Sequence, residues 1–421
     1  LDKHSVEVLV DACLDPTKYC VVTLSPQATA SLAAANNLTF TEAEGKITGF
    51  LKSLGVKYVF STTFSADLAL QEACVEFVER WRAAKQNDAT TTANATTARP
   101  ITATATSGTP SSRSASLPVV CSECPGFVIF VEKKHPESLL SLLSRVKSPQ
   151  AIFGTLLKQL LADKLQPQDS SVANSTSTTT KRTLWHCSVM PCLDKKLESA
   201  RDELVAPSGA PETDCSITAL ELSSLVASRS NSSLQNLPSS PLDSLSSLLT
   251  STLVSATEPT PLPPHHHRPA SSSAPHPPPP PLVAPSSVLP FSYGYLETVA
   301  RYASFHLLGV KLPQKLSFHT PREGNLDLRE LTVTGPGGRT LRFAAVYGYR
   351  HIQNLVMSIQ RKTCKYDYVE VMSCPSGCTN GGGQLPSLPL SHVNARFLQW
   401  MDGKTASSRE TEGGFALEEV S

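Results

Sequence analysis

The pattern of apolar and polar positions divides the chain into short apolar runs and longer amphipathic stretches. Short runs rich in β-branched and aromatic residues predict buried strands. In the first part of the chain they lie at Lys18–Leu24, Val56–Phe60, Leu184–Met190 and Asp214–Thr218. Helical periodicity predicts helices over 4–14, 41–54, 64–82, 127–134, 148–164, 192–204 and 219–226. Strands that alternate with helices in this way predict a parallel sheet covered by helices.

Two of these helices have recognisable ends. Thr41 as N-cap and Glu44 at N3 match a capping box, and Gly55 suits the position just past the helix end. Ser148 as N-cap and Pro149 at N1 mark the start of the helix at 148–164.

The last third of the chain has the same character. It predicts a helix at 295–308, a hairpin of Leu328–Val333 and Thr340–Tyr347, a helix at 350–361 and a strand that opens at Tyr368. The tail after Ser387 is weakly patterned, and only 394–401 has the pattern of a short helix.

Three polar stretches interrupt the pattern. Residues 83–116 and 166–182 are rich in Ser and Thr, and 227–290 in Ser and Pro. They cannot bury enough apolar area to fold, so we expect them to be disordered. The folded segments are then 1–82, 117–165, 183–226 and 291–386, and 387–421 is a weakly ordered tail.

Four cysteines stand out because they follow predicted strands. Cys124 follows the apolar run that starts at Leu117, Cys192 follows Met190, and Cys374 and Cys378 follow the strand that opens at Tyr368. Strands of an open α/β sheet that end at one edge place their loops around one crevice. We therefore expect the four thiols to share a metal or cluster site.

Local features around these cysteines support such a site. Gly377, Gly381, Gly382 and Gly383 lack a Cβ, so their backbone can approach a bulky group whose sulfur atoms accept N–H bonds. Cys124 and Cys192 precede predicted helices, whose dipole favours a thiolate. We therefore predict lowered thiol pKa values there.

The three cysteine segments resemble the three signature motifs of the catalytic domain of iron-only hydrogenases. Glu-Cys-Pro-Gly-Phe127 is similar to T-S-C-C-P-G-W, and Met190-Pro-Cys-Leu-Asp-Lys-Lys-Leu-Glu198 to M-P-C-x-x-K-x-x-E. Glu370-Val-Met-Ser-Cys-Pro-Ser-Gly-Cys-Thr-Asn-Gly-Gly-Gly-Gln384 is similar to E-x-M-x-C-x-x-G-C-x-x-G-G-G-Q. The resemblance covers nearly all of the chain outside its low-complexity stretches. The motif variants are most similar to the eukaryotic NARF family, whose best-known member acts in cytosolic iron–sulfur protein assembly.

The resemblance implies an α/β, iron-only-hydrogenase-like domain of two lobes, each with a mostly parallel sheet flanked by helices. It also implies a buried [4Fe–4S] cluster on Cys124, Cys192, Cys374 and Cys378, whose sulfurs would lie roughly 4–7 Å apart. Structural zinc is the rival, since four cysteines also bind zinc. Zinc sites usually use C-x2-C pairs, whereas here one C-x3-C pair joins two single, distant cysteines. That arrangement favours the cluster.

Two further positions bear on the chemistry. Lys195 matches the lysine that contacts a cyanide of the diiron unit in hydrogenases, and it equally suits a first-turn helix lysine beside Lys196. Glu123 stands where the hydrogenase motif has a proton-relaying cysteine. A carboxylate differs from a thiol in pKa and reach, which argues against hydrogen chemistry. No catalytic residue is assigned.

The function implied by the resemblance is not enzymatic. The chain would carry or relay [4Fe–4S] clusters to cytosolic and nuclear proteins. Its partners would be the cytosolic iron–sulfur scaffold, targeting-complex proteins and recipient apoproteins. It would be located in the cytoplasm and also in the nucleus. Two alternatives remain: a hydrogenase with a diiron unit attached through Cys378, and a nuclear family member that binds prenylated prelamin.

Composition limits the other classes of function. A formal net charge of +1 gives no strong attraction to nucleic acid or membranes. No apolar run is long enough for a transmembrane helix, and Leu1–Glu7 has no secretory apolar region. The chain lacks both an initiating Met and the family's N-terminal four-cysteine segment, which holds a second [4Fe–4S] cluster. We therefore expect an N-terminally incomplete chain.

Six of the other cysteines are interpreted as core residues. The chain has 11 cysteines, and their odd number and scattered positions favour a reducing intracellular compartment over a disulfide scaffold. Cys13, Cys20, Cys74, Cys187, Cys215 and Cys364 fit small buried hydrophobic residues. The histidines at 265–267 lie in the Ser/Pro-rich stretch and are interpreted as incidental.

Overall fold

The structure, a computed structural model, describes residues 4–95, 116–161, 182–230, 232–245, 294–322, 324–386 and 388–412. The disorder expected at 96–115, 166–181 and 246–290, and the histidines at 265–267, lie outside the described residues.

The described part of the chain contains eight strands and twelve α-helices, with four short 3-10 or π-helical segments. The strands are β1 (Lys18–Leu24), β2 (Tyr58–Ser61), β3 (Val119–Cys121), β4 (Thr183–Met190), β5 (Cys215–Thr218), β6 (Leu328–Thr334), β7 (Thr340–Tyr347) and β8 (Tyr368–Met372). The helices are α1 (Val6–Leu14), α2 (Pro26–Ala35), α3 (Phe40–Ser53), α4 (Thr63–Ala95), α5 (Pro125–Lys134), α6 (Pro136–Leu139), α7 (Pro149–Leu156), α8 (Asp194–Ser199), α9 (Ala219–Ser230), α10 (Tyr295–Leu308), α11 (Tyr349–Gln360) and α12 (Leu390–Glu412).

The strands form two four-stranded sheets. The first has the order β2–β1–β4–β5 and is parallel throughout. The second has the order β3–β8–β7–β6, in which only β6 is antiparallel, as part of the hairpin with β7. The prediction of an α/β fold with mostly parallel sheets, in which β1, β2 and β4 share one sheet, is confirmed.

Helices cover both faces of the first sheet, which a parallel sheet requires. Cys20, Val22 and Leu24 of β1 pack into one core with α1, α3 and α9. Tyr19 and Val21 point to the opposite face and pack with residues of β2 and α7. In the second sheet, Phe77 of α4 packs edge-on against Tyr368 of β8, with ring centroids 5.4 Å apart.

The predicted start of α3 was wrong by two residues. Thr39, not Thr41, is the N-cap, and its capping-box partner is Glu42. Both Thr39-x-x-Glu42 and Thr41-x-x-Glu44 fit the motif, and the buried Phe40, which packs against Trp400, favours the earlier one. Gly55 follows α3 with a φ of +100°, as predicted. Ser148 and Pro149 also start α7 as predicted.

Some helix lengths differ from the predictions. Helix α4 continues to Ala95 instead of ending at Arg82, so 83–95 is helical rather than disordered. The helix formers Ala83, Ala84 and Lys85 extend it past the last core contacts. Helix α8 is shorter than the 192–204 expected, and starts two residues after Cys192.

Residues 232–245 belong to the folded domain, contrary to the prediction that 227–290 is disordered. Leu234 is buried in the first core. The Asp243 carboxylate accepts a hydrogen bond from the Val59 amide at 2.8 Å and pairs with Lys52 Nζ at 3.0 Å. These contacts hold the segment against β2 and α3, and its Ser/Pro-rich composition concealed them.

The tail also packs on the domain. Helix α12 is much longer than the short helix predicted at 394–401. Val393, Phe397 and Met401, spaced four residues apart, are buried with Ala30 and Ala34 of α2. Among the described residues, no helix is both long and apolar enough to cross a membrane.

Candidate functional site

The four cysteines selected from the sequence line a single cavity between the two sheets. Cys192 follows β4 of the first sheet, whereas Cys124 follows β3 and the Cys374–Cys378 pair follows β8 of the second. The structure therefore brings loops from both sheets to one place. That the four thiols hold a metal group remains a prediction.

The thiols are not arranged around one point. Among the described residues, no group of three or more His, Cys, Asp or Glu side chains is placed to hold a metal ion. A zinc site needs four ligands at about 2.0–2.3 Å from a single ion, and these side chains do not form one as they lie. A cuboidal cluster instead spreads its thiolate ligands over several iron atoms, so it suits thiols that stand further apart.

The loop that carries Cys124 is tied to the neighbouring strand. Cys124 is the N-cap of α5, with Pro125 at the first helical position. Its amide donates to Ser122 Oγ at 3.2 Å, and that hydroxyl donates to the Val371 carbonyl of β8 at 2.6 Å. This link fixes Cys124 relative to the strand that leads to Cys374.

The turn between Cys374 and Cys378 depends on left-handed backbone. Ser376 and Gly377 have φ of 59° and 72°, and the Gly377 amide donates to the Cys374 carbonyl at 3.1 Å. The Ser376 amide donates to Asp327 Oδ1 at 2.6 Å. A left-handed non-glycine residue such as Ser376 is uncommon, and here it turns two thiols towards one cavity.

Glycines bring this loop against the loop of Cys192. The Gly383 amide donates to the Pro191 carbonyl at 2.9 Å, and a Cβ on Gly383 would lie 3.1 Å from Cys192 Cα. A Cβ on Gly381 would collide with the Pro191 carbonyl, whereas one on Gly382 would meet no atom within 4 Å. Close approach therefore explains Gly381 and Gly383.

Burial raises the thiol pKa of Cys192, Cys374 and Cys378. It raises the pKa of Cys374 to about 11 and that of Cys192 to about 12, against the opposing effect of Lys195. It raises the pKa of Cys378 well above its usual range. The lowered pKa predicted for Cys192 was wrong, because the thiol is buried and precedes a helix of only six residues. Thiolate ligands here would need a bound cation to replace their protons.

Glu123 and Lys195 form part of the cavity wall. Burial raises the pKa of Glu123 to about 7, and the Cys378 thiol donates to its Oε1 at 3.8 Å. Lys195 Nζ forms a buried ion pair with Glu198 Oε2 at 2.8 Å. Although burial opposes it, Glu198 and Glu123 raise the pKa of Lys195. Lys195 thus places a positive charge beside the thiols.

Unpartnered polar atoms around the cavity fit a sulfur-rich group. In the described part of the chain, Ser373 Oγ and Gln27 Nε2 are buried without a hydrogen-bond partner, and both residues line the cavity. A hydroxyl and an amide N–H₂ are donors, and cluster sulfurs accept such bonds. Neither residue was predicted from the sequence to be part of the site. Gln27 follows β1 at the same sheet edge, so the rule that selected the cysteines could have found it.

The other cysteines lie away from the cavity. All 11 cysteines are free. Cys20, Cys74, Cys187 and Cys215 are buried in the two main hydrophobic cores, as predicted. Cys364 is only half-buried.

Comparison with known proteins gives one family. The model of the family described as "Iron only hydrogenase large subunit, C-terminal domain" matches residues 18–382. Protein NAR1 of Arabidopsis thaliana is 34% identical over 91% of this chain and 69% of its own length. Cytosolic iron-sulfur assembly component 3 of Bos taurus is 35% identical over 90% of this chain and 65% of its own length. The protein of the same name in Mus musculus is 36% identical over 87% of this chain and 62% of its own length. The chain thus spans about two thirds of the length of these relatives.

Solved structures show the same fold. An apo [FeFe]-hydrogenase HydA1 from Chlamydomonas reinhardtii is 22% identical, with a TM-score of 0.64, over 99% of this chain and 95% of that one. A second [FeFe]-hydrogenase structure, from work on oxygen inactivation, has a TM-score of 0.66 at 22% identity, with the same coverage. The hydrogenase-like two-sheet fold expected from the motifs is confirmed.

Proposed function

The chain belongs to the family of the iron-only hydrogenase large subunit, C-terminal domain, and from that premise we propose that it acts in cytosolic iron–sulfur protein assembly. Relatives that are 34–36% identical over most of the chain carry that role in their names. The role proposed is to carry or relay a [4Fe–4S] cluster for the maturation of cytosolic and nuclear iron–sulfur proteins.

The observation that carries this proposal is the shared cavity of Cys124, Cys192, Cys374 and Cys378. Three loops from two sheets supply four thiols, which is the ligand number of a cuboidal cluster. In the proposed complex the four thiolates bind the cluster, Lys195 offsets part of their negative charge, and Ser373 and Gln27 donate hydrogen bonds to sulfur. When bound, the cluster supplies iron and sulfide for transfer, or an electron-transfer group.

The hydrogenase alternative is disfavoured at Glu123. Its carboxyl lies on the cavity wall in contact with Cys378, at the position of the family's proton-relaying cysteine. Once Cys378 is a thiolate ligand it has no proton to donate, so the buried Glu123 carboxyl in its protonated form would donate to that sulfur and support the ligand instead of serving a diiron unit. We therefore assign no catalytic residue. Its proposed partners are the cytosolic iron–sulfur scaffold, targeting-complex proteins and recipient apoproteins. Its proposed location is the cytosol and also the nucleus.

Depletion of the protein in its source cell tests this function. We expect cytosolic and nuclear iron–sulfur enzymes to lose activity while mitochondrial ones keep theirs. Cys374→Ser, introduced into the cell's own gene, should reproduce the defect, and Cys364→Ser, outside the cavity, should not. Evolution of H2 from reduced viologen by the purified protein would overturn the proposal, as would an equal loss of mitochondrial enzymes.

A further inference from the structure

Residues 232–245 form a strap that lies across helix α3, away from the candidate cluster site. The Ser240 amide donates a hydrogen bond to the Gly45 carbonyl at 2.9 Å, and Lys46 Nζ donates one to the Leu237 carbonyl at 3.0 Å. No residue of the strap lines the cavity that holds the four cysteines. These bonds tie the strap to one face of α3.

Two glycines of α3 let the strap approach the helix closely. A Cβ on Gly49 would collide with the Pro238 carbonyl and lie 3.4 Å from the Ser240 amide nitrogen. A Cβ on Gly45 would collide with Ser239 Oγ. At these positions the strap lies on the helix backbone with no α3 side chain between them, so a bulky group added there has little room.

The end of the strap covers part of the outer edge of the first sheet, where β2 is the end strand. The Asp243 amide donates to the Val59 carbonyl at 2.9 Å, and the Val59 amide donates to Asp243 Oδ2 at 2.8 Å. Asp243 also pairs with Lys52 Nζ at 3.0 Å. An edge strand presents amides and carbonyls that can pair with another chain, and the strap occupies some of these groups.

The strap also carries a serine that is followed by proline. Four Ser-Pro or Thr-Pro pairs lie within the described residues, and two of them start helices. Ser25 and Ser148 are the N-caps of α2 and α7, and their hydroxyls accept amide hydrogen bonds. Ser240 and Thr320 lie outside any helix or strand, and within the described part of the chain neither hydroxyl makes a hydrogen bond. Helix capping therefore does not explain these two pairs.

The surroundings of Ser240 suit a protein kinase. Ser240 is half-buried, and Ser239 and Pro241 on either side of it are exposed. Proline-directed kinases select a serine or threonine followed by proline, because their binding site has no acceptor for the amide N–H that proline lacks. The irregular backbone from 237 to 244 can enter such a site without unfolding a helix or strand.

We propose that Ser240 is a phosphorylation site for a proline-directed kinase, and that its phosphate lifts the strap from α3. The Ser240 hydroxyl oxygen attacks the γ-phosphorus of ATP and forms a new O–P bond. The bond from that phosphorus to the bridging oxygen breaks, ADP leaves, and the hydroxyl proton passes to the base of the kinase. The added group carries a charge of about −1.5 to −2 at neutral pH.

The phosphate disfavours the bound strap for reasons of volume and charge. The Ser240 backbone lies against the two glycines of α3, where little space remains. The new charge also lies three residues from the Asp243 carboxylate, and like charges repel. Lys46 and Lys52 of α3 already bind oxygens of the strap, so each would have to leave its partner to meet the phosphate. Lifting the strap would free the Val59 amide and uncover the edge of β2.

Phosphopeptide mapping tests the site. The purified chain is incubated with ATP and a cyclin-dependent kinase, and a synthetic peptide of residues 236–244 shows that the kinase is active. Trypsin, which cleaves after Arg229, and a protease that cleaves before Asp243 release the peptide 230–242. We expect this peptide to gain one phosphoryl group, located on Ser240 by fragmentation. Ser240→Ala should prevent the gain, and Ser239→Ala should not.

The proposal is overturned if the peptide 230–242 of the chain stays unmodified while the synthetic peptide is phosphorylated, or if the phosphate lies on another serine of 230–242. Phosphorylation of Thr320 alone would overturn it in the same way, since that residue also precedes a proline and its hydroxyl is likewise without a hydrogen bond in the described ranges.

Amide hydrogen exchange tests the effect on the strap. In the phosphorylated chain the Val59 amide should exchange roughly tenfold faster, which corresponds to the loss of two ordinary hydrogen bonds. Gly49→Ala displaces the strap by collision with Pro238 and should give the same change without phosphate. If Gly49→Ala speeds the exchange of Val59 and phosphorylation leaves it unchanged or slower, the phosphate does not lift the strap.

Discussion

Replacing Gly383 with alanine should disrupt the close packing between the loop that carries Cys378 and the loop that carries Cys192. A Cβ there would lie 2.7 Å from Thr218 Cγ2, 2.8 Å from Thr218 Cβ and 3.1 Å from Cys192 Cα, where ordinary contacts begin at 3.4 Å. To bring the 2.7 Å contact to 3.4 Å, the loop must move by about 0.7 Å. Two backbone hydrogen bonds of Gly383 restrain that movement. The Gly383 amide donates to Pro191 at 2.9 Å, and its carbonyl accepts from the Leu220 amide at 3.0 Å. Overpacking of this kind costs about 1–3 kcal/mol.

Gly382→Ala is the matched control, since a Cβ there meets no atom within 4 Å and its φ is not positive. Thermal unfolding of the apo chain should show a Tm lower by about 2–10 °C for Gly383→Ala, while Gly382→Ala stays close to the unmodified chain. After reconstitution, Gly383→Ala should also lose iron to a chelator faster. Equal Tm values and equal iron loss in the two variants would refute the reasoning that close packing of Gly383 positions the Cys192 loop.

Three further predictions follow from burial and charge. Phe397→Ala should destabilise the chain by about 3–5 kcal/mol in urea unfolding, because Phe397 is 0% exposed between α12 and α2. A loss below about 1 kcal/mol would contradict the docking of α12. Lys195→Met should cost about 3–5 kcal/mol because it leaves Glu198 buried without its ion-pair partner, and Lys195→Met with Glu198→Gln should recover part of that loss. Burial raises the pKa of the Glu44 carboxyl from 4.5 to about 7. As the pH rises, the unfolded chain therefore releases this proton at a lower pH than the folded chain does. The unmodified chain should lose roughly 1–3 kcal/mol of its free energy of unfolding as the pH rises from 4.5 through 7. In Glu44→Gln this loss should be absent, and an unchanged pH profile would count against the burial of that carboxyl.

Local patterns were enough to predict the strands and the four cavity cysteines. Strands such as β1 and β4 are continuous apolar runs, and the edge rule for parallel sheets then places the residues that follow them together. This rule groups Cys124 with Cys378, which follow strands of the same sheet. Cys192 follows a strand of the other sheet, so its place in the group depended on the resemblance of the three motifs.

Features that depend on packing between distant segments were not predictable. Helix α2 was missed because Gln27, Thr29 and Ser31 are buried along with its alanines, so it shows no polar face. The segment at 232–245 has the composition of a linker, and its anchor, Asp243, meets Lys52 191 residues away in sequence. The polar side chains of Ser373 and Gln27 likewise can be linked to the site only when the folded structure shows that both line the cavity.

Iron and sulfide analysis with Mössbauer spectroscopy tests the central claim most directly. The chain, purified and reconstituted without oxygen, should contain about four irons and four sulfides with the spectrum of a [4Fe–4S] cluster. Serine at Cys124, Cys192, Cys374 or Cys378 should reduce the iron content, whereas Cys364→Ser should leave it unchanged. One zinc per chain without iron, or an iron content that does not depend on the four cysteines, would contradict the account.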